Sequence, residues 1–78
     1  MPKIPIVKAK DFYKYLIKYG CAPISVNSSH FKLSNPKTAA VATVPIHTGK
    51  DLSKNLFAAI LKQLDIDIDD FIEFIKHN

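Results

Sequence analysis

The sequence predicts an α+β domain in which a three-stranded antiparallel sheet carries helices on one face, in the order α-β-β-β-α-α. Apolar residues recur at helical spacing in one stretch near the start of the chain and in two near its end. Between these stretches, short segments alternate apolar with polar residues, as half-buried strands do. A chain of 78 residues has room for one small core, so we expect a single domain over residues 1–78.

The first helix is predicted from about Ala9 to Tyr19, after an extended lead-in that contains Pro5. Gly20 follows at the position where helices often end in the left-handed conformation. Lysines repeat every four residues on one side of this helix, and the opposite side is apolar, with Phe12, Tyr13, Leu16 and Ile17.

Three strands are predicted over residues 22–26, 30–33 and 40–44. In the first strand we expect Ile24 and Val26 to point inward. The Asn35-Pro36-Lys37 turn separates the second strand from the third, whose alanines leave its inward face undecided. Pro45 is expected to end the third strand, and a loop over residues 46–50 follows.

Two helices complete the chain. Ser53 is a favourable N-cap for a helix from Lys54 to Leu64, and Asp67 for the last helix. Ile66 and Phe71 are spaced as a hydrophobic staple across the second cap. The neighbouring acids complement the dipole of the last helix, so the acidic cluster has a structural explanation. The apolar face of the longer helix is Leu56, Phe57, Ile60, Leu61 and Leu64.

The net charge of +4 conceals an uneven distribution. Residues 1–64 hold ten lysines against two acids, whereas residues 65–78 hold one lysine against five acids. A basic body is typical of proteins that bind polyanions, of which nucleic acid is the commonest, although a solvated lysine-rich surface explains it equally well. The absence of arginine predicts contacts to the nucleic-acid backbone rather than to base edges.

Several functional classes are disfavoured. The single cysteine, Cys21, cannot form an intramolecular disulfide, which fits a cytoplasmic location. The chain has no apolar run of membrane-spanning length and no secretory signal, so no membrane association is expected. The segment from Asp65 to Lys76 lacks the glycine and glutamate of a calcium loop, and the histidines lack zinc-ligand spacing. We therefore expect no metal and no other cofactor.

His30 is the most informative polar residue. The polar turn Asn27-Ser28-Ser29 leads into a segment in which Phe31 and Leu33 would face the core, leaving His30 and Lys32 side by side on the open face. A titratable imidazole beside a fixed cation suits acid–base chemistry on a phosphate. The alternative is a surface strand that happens to carry a histidine.

Four motifs occur together in this chain. They are the lead-in from Pro2 to Lys8, the Ser28-Ser29-His30 motif, the segment from Val44 to Leu52 that contains His47, and the closing helices from Ile60 to Ile75. In this combination the chain resembles HicA toxins, the mRNA-cleaving ribonucleases of type II toxin–antitoxin systems. The resemblance implies a double-stranded-RNA-binding-like fold, a catalytic histidine at His30 and a HicB-type antitoxin that covers the site. Ser28 departs from the family pattern, which has glycine at this position.

The resulting hypothesis is a metal-independent endoribonuclease that cleaves mRNA with His30 as general acid or base. We expect His47 to support the site through hydrogen bonds, and Ser28 to lie beside it in a supporting position. A non-catalytic RNA-binding module of the same fold, favoured by Ser28, and a protein-interaction domain are the alternatives, and self-association is left open. Residues predicted to bind RNA or hold its phosphates are Ser29, Lys8, Lys10, Lys32, Lys50 and Lys54.

Overall fold

Three helices and three strands follow one another in the predicted order in the computed structural model, which describes residues 4–26, 30–45 and 51–77. The order confirms the predicted α+β class. The elements are α1 (Ala9–Tyr19), β1 (Ala22–Val26), β2 (His30–Asn35), β3 (Ala40–Pro45), α2 (Lys54–Gln63) and α3 (Ile68–Lys76).

The strands form one antiparallel sheet in the order β1-β2-β3. Leu33 lies opposite Ala42, and Phe31 lies opposite Val44, so these four residues share one face. Leu33, Ala42 and Val44 are buried and Phe31 is half-buried, which confirms the predicted inward side of β2. The pairing also settles the inward face of β3. Because α1 and α2 both pack against β3, this face of the sheet meets the helices.

The prediction that Ile24 points inward is wrong, and Val26, also predicted to point inward, is not buried, since these side chains are 54% and 57% exposed. A register shift between Pro23 and Ser25 explains the exposure of Ile24. Ile24 is the extra residue of a β-bulge and has no partner on β2. Val26 lies opposite Phe31 and so shares its face of the sheet. The helices pack against β3, however, whereas Val26 is on β1 at the other edge of the sheet. Alternation alone cannot reveal an inserted residue.

The helices meet around three phenylalanine rings, one from each. Phe12 of α1, Phe57 of α2 and Phe71 of α3 are at most 1% exposed. Their ring centroids are 4.8 Å apart for Phe12 and Phe57, 5.6 Å for Phe12 and Phe71, and 5.9 Å for Phe57 and Phe71. Tilted and edge-on pairs of this kind add about 0.5–1.5 kcal/mol each to the free energy of burial.

The predicted helix caps are present. The Ser53 hydroxyl accepts a hydrogen bond from the Leu56 amide at 3.1 Å, and the Asp67 carboxylate accepts one from the Asp70 amide at 3.1 Å. Gly20 ends α1 with a φ of 127°, a conformation that L side chains rarely adopt.

α2 ends at Gln63, one residue earlier than predicted, because Asp65 adopts a left-handed conformation with a φ of 58°. The Ile66 amide then donates to the Leu61 carbonyl at 2.9 Å, and the Asp65 amide donates to the Lys62 carbonyl at 3.1 Å. These two bonds form a Schellman motif.

The end of α2 is tied to the sheet by Asn35, the last residue of β2. Its side-chain amide donates to the Leu64 carbonyl at 2.8 Å, and its side-chain oxygen accepts from the Lys37 amide at 3.1 Å. The same side chain therefore satisfies a helix-terminal carbonyl and closes the predicted turn between β2 and β3.

Replacing Asn35 with alanine is expected to lower the free energy of unfolding by about 1–3 kcal/mol, because both hydrogen bonds are lost and the Leu64 carbonyl is left without its donor. Urea denaturation followed by circular dichroism measures this change. Asn35→Asp is the matched control, since it keeps the acceptor for Lys37 and loses only the donor to Leu64. Wild-type stability in both variants would contradict this role for Asn35.

Stability should also depend on pH through Cys21. Burial raises the pKa of this thiol, which is 5% exposed, above the usual value of 9.0. The unfolded thiol then ionises at lower pH than the folded one, so the stabilisation is complete below pH 9.0 and is lost as the pH rises through the folded pKa.

We expect the free energy of unfolding to fall more steeply with rising pH above 9.0 in the wild type than in Cys21→Ala, because only the wild type has this titrating thiol. Urea unfolding at a series of pH values gives the two slopes. The lower stability of the variant at every pH does not affect this comparison. Parallel pH profiles would show that the Cys21 thiol is not responsible.

Candidate nucleic-acid interface

His30 begins β2 and pairs with Pro45, the last residue of β3. Its side chain is exposed on the face opposite to Phe31. The backbone beneath it is anchored from the other side, because the Phe31 ring packs edge-on against Tyr13 of α1 with centroids 4.5 Å apart. The packed Phe31 thus fixes the backbone from which the His30 side chain projects.

Lys32 lies on the same open face two residues further along β2, and its side chain is exposed. Two residues of strand correspond to about 6.6–6.8 Å. The alternation that placed His30 and Lys32 together in the sequence is therefore present in the structure. In the register, Lys32 lies opposite Ser25 of β1 on one side and opposite Thr43 of β3 on the other.

The open face of the sheet has a favourable charge for an anion. None of the three strands, over residues 22–26, 30–35 and 40–45, contains Asp or Glu. The acids of the last helix, Asp69, Asp70 and Glu73, are exposed on α3, which packs against α1 and α2. The acids of α3 thus lie in the helix layer together with the lysines of α1 and α2, whereas the strands carry Lys32 and no acid, which favours an anion on the sheet face.

Three other predicted cations gather where α1 and α2 begin. The Leu52 amide donates to the Val7 carbonyl at 2.7 Å, and Lys8 forms an isolated antiparallel bridge with Asp51. Lys10 lies in the first turn of α1, and Lys54 is the first residue of α2. All three lysines are exposed.

This second group lies on the helix side of the sheet, not beside Lys32. Tyr13, one turn after Lys10, packs on Phe31, so this part of α1 covers the start of β2. A ligand that contacts both His30 and Lys10 must therefore pass around the end of the sheet. The Asp51 carboxylate opposite Lys8 partly offsets the positive charge of this group.

Four predicted site residues lie outside the described residues. They are Ser28, Ser29, His47 and Lys50. Their roles stay predictions from the sequence. Ser28 and Ser29 directly precede His30 in the chain, and His47 and Lys50 lie between Pro45 and Asp51.

Ser25 and Thr43 were missed in the sequence analysis. Thr43 was passed over because the pairing register of β3 was not known. For Ser25 no sequence signal exists, because only the bulge between Pro23 and Ser25 places it opposite Lys32. A regular ladder would have placed Ile24 there.

Two clefts that involve α2 are not lined by His30 or Lys32, although one of them includes Thr43 in its lining. One of about 630 Å³ lies between α2 and the start of α3 and includes Lys62 and Asp67 in its lining. Another of about 530 Å³ lies between β3 and α2. We place the candidate site on the open face instead, because a polymer needs an extended charged surface rather than an enclosed cavity.

Two further searches covered the described residues. Within residues 4–26, 30–45 and 51–77, no three His, Cys, Asp or Glu side chains are grouped so as to hold a metal ion. In the same part of the chain, no helix has both the length and the apolar composition needed to cross a membrane.

Comparison with known proteins agrees with the geometry. A family model described as the HicA toxin of bacterial toxin–antitoxin matches residues 9–66, which include α1, the whole sheet and α2. No curated protein sequence matches the chain. The family match implies an antitoxin partner. Because the match covers well over half of the chain, including the candidate surface around His30, this protein belongs to the HicA toxin family.

Proposed function

We propose that this HicA-family toxin is a metal-independent endoribonuclease that cleaves mRNA, with His30 as general acid or base. One observation carries the proposal: an exposed imidazole lies at the end of a sheet face whose strands contain no carboxylate and which bears an exposed lysine two residues further on. Family membership supports a toxin, and RNA is the polyanion whose cleavage needs only proton transfer at such a site.

The reaction uses a nucleophile that RNA itself supplies. Neutral His30 accepts the proton of a ribose 2′-hydroxyl while the 2′-oxygen attacks the adjacent phosphorus. The bond from phosphorus to the 5′-oxygen of the next nucleotide breaks, and that oxygen takes a proton from an acid, either water or a protonated imidazole. The products of this route are a 2′,3′-cyclic phosphate and a 5′-hydroxyl. A positioned acid or base contributes about 10²–10⁴-fold in rate.

Lysine ammonium groups stabilise the negative charge on the phosphate. Lys32 shares the open face with His30 and holds the RNA backbone beside the imidazole. Lys8, Lys10 and Lys54 contact the RNA where it leaves the end of the sheet. Ser29 and Lys50 are proposed to contact it from the segments that adjoin β2 and β3, with Ser28 and His47 in support.

The proposed partner is a HicB-type antitoxin that covers the His30 face. An exposed β-branched side chain on this face supports a protein contact there, since Val41 is 43% exposed, and Ile24, at the bulge of the adjoining edge strand, is 54% exposed. Burial of such side chains contributes free energy that RNA phosphates cannot provide. An antitoxin on this face would exclude RNA by occupying the same surface.

The role of His30 can be tested with purified protein freed of antitoxin. We expect His30→Ala to reduce cleavage of a single-stranded mRNA fragment in EDTA by about 10²–10⁴-fold and to abolish growth arrest on induction. His77→Ala is the matched control, because His77 is an exposed histidine at the end of α3. Its Nε2 atom lies 3.4 Å from Oε2 of Glu73.

Undiminished cleavage by His30→Ala would refute the catalytic role. Salt-sensitive RNA binding without cleavage by the wild type would instead identify a non-catalytic RNA-binding module. An absence of RNA binding by the wild type would identify a protein-interaction domain. The EDTA condition tests metal independence, since a metal-dependent activity would disappear in the wild type.

The lysines at the helix starts give a second test. In the His30→Ala protein, which leaves RNA intact, we expect Lys8→Gln combined with Lys54→Gln to weaken RNA binding and to reduce the slope of log K against log salt by about 1.4, since each phosphate contact on a single strand contributes about 0.7. Lys14→Gln combined with Lys18→Gln removes the same charge from exposed positions further along α1 and should leave the slope nearly unchanged. Equal losses of RNA affinity in the two double variants would mean that the lysines act through overall charge and not through a defined site.

A further inference from the structure

The bulge in β1 creates a row of three polar side chains across the open face. Beyond the bulge, Ser25 lies opposite Lys32, and Lys32 lies opposite Thr43. All three side chains are exposed. The row therefore places one ammonium group between two hydroxyls, one from each neighbouring strand.

The dimensions of this row suit a single phosphate group. Directly opposed residues of an antiparallel pair have Cβ atoms about 4.5–5.5 Å apart. A phosphate above Lys32 is then within reach of a hydroxyl on each side, while the ammonium supplies the charge. Hydroxyls that donate to an anion form shorter and stronger hydrogen bonds than those between neutral groups.

The row also has a defined position relative to His30. The His30–Pro45 row is the next one on the same face, about 6.6–6.8 Å away along β2. This separation is comparable with that of consecutive phosphates along an extended polynucleotide. On the other side, the next row contains Ser34 and Val41 and has no cation. The His30 row and the Lys32 row are thus spaced as two consecutive phosphates are.

We propose that Ser25, Lys32 and Thr43 form a subsite for the phosphate next to the one that is cleaved at His30, with the RNA backbone running along β2. This inference rests on the proposed ribonuclease function for the identity of the ligand. It adds two uncharged side chains that bind phosphate, Ser25 and Thr43. It also gives the bulge a function, because the bulge places Ser25 rather than Ile24 opposite Lys32.

The test measures RNA affinity in the His30→Ala protein over a range of salt concentrations. Ser25→Ala and Thr43→Val should each weaken binding by about tenfold without changing the salt slope, because neither substitution removes a charge. Lys32→Gln should lower the slope by about 0.7. Thr43→Ser, which restores the hydroxyl, should recover most of the affinity lost in Thr43→Val.

Ser34→Ala is the matched control for the hydroxyls, since Ser34 lies on the same face in the row without a cation. Lys14→Gln controls for loss of one exposed charge. Both should bind RNA as the parent does. Urea midpoints for every variant separate a loss of affinity from a loss of folding. If the three side chains hold one phosphate, the effects of Ser25→Ala and Lys32→Gln should be less than additive.

Unchanged affinity in both Ser25→Ala and Thr43→Val would overturn the subsite, as would fully additive effects. Weakened antitoxin binding with unchanged RNA affinity would assign the row to the protein partner and overturn it equally. These outcomes are independent of the catalytic test. Cleavage that persists in His30→Ala would refute the proposed function and the position of the subsite relative to a cleaved phosphate, and it is recognised from the RNA products rather than from the affinities of the row variants.

Discussion

The contact among Phe12, Phe57 and Phe71 determines the arrangement of the whole molecule. Each helix contributes one ring, and all three rings are buried, so the helices form one layer that packs against β3. A chain of 78 residues has enough apolar material for one such layer only. Among the described residues, the helices pack on one face of the sheet only, and His30 lies on the other face.

Charge follows from the same arrangement. The carboxylates of α3 serve its N-terminal cap and complement its dipole, and α3 packs on the other two helices. The strands, which carry no acid, form the opposite side. The layering thus keeps the carboxylates of α3 out of the sheet, so that Lys32 has no acid on the neighbouring strands.

Much of this structure could be predicted from periodicity and capping, because these are local properties. Phe12, Leu33 and Asp67 were placed correctly since helical spacing, alternation and N-cap chemistry depend on nearby residues. Ile24 was placed wrongly because an inserted strand residue is defined only by its partner strand. The bridge between Lys8 and Asp51 joins distant parts of the chain, so no pattern within either segment could predict it. For the candidate site, His30 and Lys32 followed from the sequence, whereas the neighbours of Lys32 required the register.

The irregular start of β1 has a further consequence for how copies of this protein meet one another. β1 borders the sheet, is uncharged, and carries exposed Ile24 and Val26, which is the composition of a strand prone to intermolecular sheet growth. Pro23 offers no N–H donor, and the bulge bends the strand and breaks the even spacing of its backbone groups. A second strand cannot form a regular hydrogen-bonded ladder along such an edge. The edge therefore keeps its exposed apolar side chains while disfavouring aggregation by strand addition.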